Sequence, residues 1–152
     1  PWLVFCHEWV QARDGEMNAI RLTKDLRATI GEPILLFRAS EASWTRPVRG
    51  DGMVTDGPFI YEARNGTLVM LWSSMGEEGY TQGIARSESG QITGPWEQDA
   101  KPLFSKDGGH GMIFETFDGE LILTLHCPNS HPSERPILIP IMERDAGVLE
   151  MV

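Results

Sequence analysis

The chain has 152 residues, 41% hydrophobic and 23% charged, which is enough apolar material for a packed core and excludes wholesale disorder. Its 22 acidic and 13 basic side chains leave a net charge of −9, a sign that repels nucleic-acid backbones and anionic membranes and suits a neutral substrate such as a sugar. The only cysteines, Cys6 and Cys127, each lie in an apolar strand-like run, which argues for buried thiols rather than a disulfide framework; no run reaches the roughly 18 apolar residues of a membrane helix.

Helical periodicity is nearly absent, and the apolar stretches are short, β-rich and bounded by Gly, Asn, Asp or Pro, so the chain reads as all-β. Pro1–Glu8 (PWLVFCHE) aligns with Leu68–Met75 and is predicted to be the second strand of a sheet whose innermost strand is not in the sequence. Asn18–Phe37 then holds a third strand, a turn and a fourth strand. Asp56–Ser74 is predicted to be a hairpin turning at Asn65-Gly66, because that dipeptide tolerates positive φ. Gln82–Phe104 resembles Asn18–Phe37, with Arg86 on Arg21 and a closing Pro-apolar-Phe in each. His110–Cys127, turning at Asp118-Gly119, repeats Asp56–Ser74 if one residue is dropped in the first hairpin. That alignment sets Asp56 on His110, Gly57 on Gly111 and Gly66 on Gly119. Glu134–Val152 matches a third strand and the turn after it, with no fourth strand expected.

A repeat of roughly 55 to 65 residues, each unit a hairpin followed by two further strands, is the pattern of propeller blades. The expected organisation is one domain over 1–152, an incomplete β-propeller of four-stranded antiparallel blades, with a partial blade over 1–50, a whole blade over about 51–107 and a partial last blade over about 108–152. In a blade the first strand lines the central channel and the second returns. The starts of first strands (Asp56, His110) and the ends of second strands (His7, Glu8, Ser73, His126) should therefore gather at one mouth. An arc of blades would leave apolar faces open, so the missing N-terminal blades or a second chain are expected to close the ring.

VTDGPFIY (54–61), GHG (109–111) and SERPILIPI (133–141) resemble glycoside hydrolase family 43, a five-bladed propeller family, and the likeness spans nearly the whole chain. The resemblance implies inverting hydrolysis of arabinofuranosyl or xylosyl linkages in plant polysaccharides, and a secreted or periplasmic enzyme. It places Asp56 where the family has its general acid, usually Glu, and makes the longer Glu8 of the neighbouring blade a rival for that role. It implies that His110 helps to hold a calcium ion in the channel and that Arg135 reaches the sugar. The family's base, and the acid that tunes the pair, would precede Pro1, so the chain alone is expected to be inactive. Trp72 and Trp9, with His7, are the substrate-binding candidates; Trp44 is a further stacking candidate and Trp96 is assigned to the core. The alternatives are a carbohydrate-binding propeller without catalysis and a related sucrose- or fructan-cleaving propeller.

Overall fold

The computed structural model describes residues 1–152 and folds them into three antiparallel sheets packed side by side. The first holds β1 (Trp2–His7), β2 (Glu16–Leu22) and β3 (Thr29–Arg38), with a single helical turn, α1 (Trp9–Ala12), between β1 and β2. The second is β4 (Asp56–Glu62), β5 (Leu68–Gly76), β6 (Gly79–Ser87) and β7 (Glu97–Gln98), in that order. The third runs β8 (Gly109–Glu115), β9 (Leu121–Cys127), β10 (Arg135–Glu143) and β11 (Leu149–Met151). The chain is all-β and forms part of a β-propeller, as the repeat predicts.

β5 reads as an unbroken apolar run because it is buried on both faces. Met70 and Trp72 point into one core with Met17, Phe37 and Trp44, whereas Val69 and Leu71 point into the other with Leu123, Leu125 and Ile141. The outer sheets are covered on one face only. β10 alternates accordingly, with Ile137, Ile139 and Ile141 against the core and Leu138 65% exposed.

Two expectations are corrected by the backbone. The last sheet has its fourth strand, since Leu149–Met151 pairs with Ile141–Glu143 and satisfies the edge of β10. The two hairpins also align without a dropped residue. In their pairing registers Asp56 is opposite Ser73 as Gly109 is opposite His126, and Glu62 is opposite Leu68 as Glu115 is opposite Leu121. Asp56 therefore corresponds to Gly109, and Gly57 to His110. Each inner strand opens with a bulge, and the bulged residues share a left-handed conformation, φ 54° at Gly57 and 56° at His110. The fit of Arg21 to Arg86 holds, because they face Trp2 and Val69 at equivalent positions.

Candidate active site

The mouth assembles as the strand logic requires, around Asp56. Its side chain is part-buried at the start of β4, and the positive φ of the following residue turns the Gly57 N–H back onto Asp56 Oδ1, at 2.8 Å. The other carboxylate oxygen accepts from the Tyr80 hydroxyl at 2.6 Å and lies 3.3 Å from His110 Nδ1. The His110 ring sits directly over Gly57, where an added Cβ would come within 2.8 Å of it. His110 keeps its left-handed backbone because its N–H donates to Ser73 Oγ at 2.8 Å while its ring meets Asp56.

The electrostatics follow from these contacts. Burial pushes the Asp56 carboxyl up, but hydrogen bonds from His110 and Tyr80, the His110 charge and the Gly57 N–H outweigh it and hold the group below the usual aspartate range. The hydrogen bond to Asp56 raises His110, against the opposing effect of burial. Burial first, and then the bond to Asp56, pushes the Tyr80 phenol well up, so it is a donor at any working pH. Asp56 is thus an anion whose oxygens are engaged by three donors.

Glu8 is brought to the same place from the neighbouring sheet. It follows β1 and its carbonyl starts α1, accepting from the Gln11 and Ala12 N–H groups. One ligating atom each from Glu8, Asp56 and Cys6 lie within 4.8 Å of one another, and the Glu8 carboxylate makes no hydrogen bond of its own. Burial, then the charges of Asp56 and Glu8, raises the Cys6 thiol and keeps it a neutral neighbour of the pair. Cys6 and Cys127 are free and half-buried rather than fully enclosed. A cleft of about 500 Å³ opens beside these groups, walled by β1 from Val4 to Cys6 and by the starts of β4 and β8.

Other predicted residues fall elsewhere. Trp72 is corrected from a substrate-binding to a core residue: it is fully buried, packs on Phe37 and Trp44 with centroids at 5.2 and 5.0 Å, and donates its indole N–H to Gln98. Trp44 is buried by the same cluster, as is Trp96. His7 is directed away from Asp56, because alternation along β1 sends Cys6 to the Asp56 side and His7 to the opposite face, where it meets Glu16, the partner of Arg38. Trp9 directly follows Glu8 and is half-buried, with one ring face on Gly52. Arg135 begins β10 at the same end of its sheet; its guanidinium binds the Pro132 and Glu134 carbonyls and remains exposed.

Around His110 this chain by itself offers few of the ligands a calcium ion needs, whether the histidine were to hold it directly or through water. Calcium takes six to eight oxygen ligands, whereas the carboxylate next to His110 is already committed to three donors and the remaining donor is an imidazole nitrogen.

The strand logic does not reach Tyr80, because it brings only the starts of first strands and the ends of second strands to the mouth, and Tyr80 lies near the start of a third. The signal available was chemical: a phenol in an otherwise buried strand needs a partner for its hydroxyl.

Residues 1–147 match the family model described as glycosyl hydrolases family 43. A solved endo-arabinase from Bacteroides thetaiotaomicron VPI-5482 is 47% identical and superposes with a TM-score of 0.90, over 97% of this chain and 54% of that one. An endo-1,4-beta-xylanase from the same organism is 24% identical with a TM-score of 0.80, over 100% and 54%. A thermostable family-43 glycoside hydrolase is 21% identical with a TM-score of 0.83, over 99% and 53%. The chain spans about half the length of the structures it matches. No curated protein sequence matches it.

Proposed function

Since the chain belongs to glycosyl hydrolase family 43, we propose that the protein containing it hydrolyses arabinofuranosyl or xylosyl linkages of plant polysaccharides with inversion, and that Glu8 rather than Asp56 is the proton donor. The observation that carries the assignment is the unequal engagement of two neighbouring carboxyl groups. A general acid must arrive protonated and within hydrogen-bond reach of the leaving oxygen. Asp56 is held ionised and its oxygens are taken by Gly57, Tyr80 and His110. Glu8 is longer by a methylene and its carboxyl has no other partner.

In this mechanism the Glu8 carboxyl proton passes to the glycosidic oxygen as the C–O bond breaks, and Asp56 is a fixed anion beside the positive charge developing on the sugar ring. A water attacks the opposite face of the anomeric carbon and gives its proton to a base. Acid and base of an inverting pair stand about 6.5–9.5 Å apart so that this water fits between them, whereas Glu8 and Asp56 approach within 4.8 Å. Asp56 is accordingly not the base; the family resemblance, in which the base opens the first strand of an earlier blade, is what assigns that role to a carboxylate outside these 152 residues and the chain alone to an inactive state. Between the two sugars arabinan is favoured, because the structure 47% identical to this chain is that of an endo-arabinase.

The test uses the full-length protein with arabinan, xylan and nitrophenyl glycosides, the anomer of the first product being read by NMR. Wild type should release the inverted sugar. Glu8→Gln should lower kcat by about 10² to 10⁴ on arabinan and far less on nitrophenyl glycosides, whose leaving group needs no proton. An unchanged kcat on arabinan would overturn the role of Glu8, and binding of arabinan without turnover by wild type would favour a carbohydrate-binding module instead.

A further inference from the structure

Beyond donating to Asp56, Tyr80 joins that anion to the next sheet through both its ring and its backbone. It lies near the start of β6, the third strand of the middle sheet, and is 4% exposed. Its ring stacks on His126 of β9, with centroids 5.4 Å apart and planes 19° from parallel. Its N–H donates to Asp107 Oδ1 at 3.1 Å and its carbonyl accepts from the Gly108 N–H at 2.8 Å, both from the segment leading into β8. Gly109 completes the seat: a Cβ there would come within 2.7 Å of both the Tyr80 ring and Ser73 Oγ.

The pairing registers give this seat a meaning. Gly109 occupies in the third sheet the place that Asp56 occupies in the second. The volume an acidic side chain would need at that place is filled by Tyr80, whose hydroxyl is delivered instead to Asp56 Oδ2 at 2.6 Å. His110, the other side-chain donor to the same oxygen, also belongs to the third sheet. Asp56 is therefore held in place by groups anchored one sheet away.

We propose that Tyr80 is a positioning residue of the site: its hydroxyl fixes the Asp56 carboxylate in the orientation that faces Glu8, and its own position is set by His126 and Gly109 of the third sheet and by Asp107 of the segment leading into it. The proposal rests on the glycosidase reading of Glu8 and Asp56. It predicts a site that depends on the boundary between the second and third sheets although neither His126 nor Asp107 touches Asp56.

Tyr80→Phe in the full-length protein keeps the stacked ring and removes only the donor. On arabinan kcat should fall about tenfold or more, the worth of one hydrogen bond to a charged group, with KM within about twofold. In an Asp56→Asn background the same change should cost less than about twofold, because the two residues act as one unit. A crystal structure of Tyr80→Phe should show the Asp56 carboxylate turned away from Glu8. An unchanged kcat, or an equal loss in both backgrounds, overturns the proposal. If wild type cleaves no glycan, the glycosidase reading has failed by itself, and the crystal structure decides Tyr80: an unmoved Asp56 carboxylate rejects the positioning role.

Discussion

At the residue scale the site turns on one imidazole and one carboxylate that shift each other. Asp56 is held below the ordinary aspartate range, so its contribution to stability is present above about pH 4 and is lost as pH falls through its lowered value. His110 is held above the ordinary histidine range, so its contribution is full below about pH 6.5 and is lost as pH rises through its raised value. Between those limits both are charged. His110→Gln should lower Tm most in that window, with the difference shrinking at alkaline pH; a difference of the same size at pH 5 and pH 9 would show that the ion pair contributes nothing. Trp72 illustrates the opposite outcome at this scale, an aromatic at the predicted place in the chain whose ring is fully enclosed. Trp72→Ala should cost about 3 to 5 kcal/mol by urea denaturation, the range for emptying a large core site.

The bulge that opens β4 and β8 is the element on which the mouth depends. It inserts one residue with positive φ, which in β4 sends the Gly57 N–H onto Asp56 and in β8 swings the His110 ring across the sheet boundary. Gly57 meets two demands at once, the backbone conformation and a space that His110 fills to within 2.8 Å of a would-be Cβ. Gly57→Ala should therefore lower both Tm and kcat, whereas Gly66→Ala, at a hairpin turn with φ 86° and open space around it, should lower Tm alone. Equal loss of kcat in the two variants would mean that the bulge does not position the site. The TDG tripeptide and the two Gly-containing turns were legible in the sequence. The bulge register was not, because β5 is buried on both faces and so carries no alternation that would reveal a one-residue shift between the hairpins, and only the hydrogen-bonded pairing selects Gly109 as the counterpart of Asp56.

Across the whole molecule the middle sheet is covered on both faces, while the outer two leave apolar side chains open: Leu3, Ile30 and Leu35 on one, Met112, Phe114 and Leu138 on the other. Faces of this kind are buried by neighbouring sheets in a closed propeller. Expressed as these 152 residues alone, the chain should self-associate on size-exclusion chromatography and bind a hydrophobic dye, and a dye-negative monomer would show that the open faces need no cover. A second long-range tie lies at the far end from the mouth. There Glu143, its side chain 4% exposed, accepts from the Tyr61 hydroxyl at 2.7 Å and from the Arg64 N–H at 2.9 Å, joining the third sheet to the second. Burial and that carboxylate push the Tyr61 phenol up to about 12, so the bond persists through alkaline assay conditions. Glu143→Ala should cost about 2 to 3 kcal/mol in urea unfolding and leave the geometry around Asp56, read by crystallography, unchanged.

Strand periodicity, turn dipeptides and the internal repeat determined the all-β class, the blade order and the meeting of Asp56, His110 and Glu8 at one mouth, because those features are local or follow from alternation along a strand. Which carboxyl is left without a hydrogen-bond partner, which tryptophan is buried and which phenol reaches Asp56 were decided only by tertiary structure. Each depends on a neighbouring sheet that is remote in the chain, and on ångström-scale distances across the boundary between sheets that no spacing along the sequence encodes.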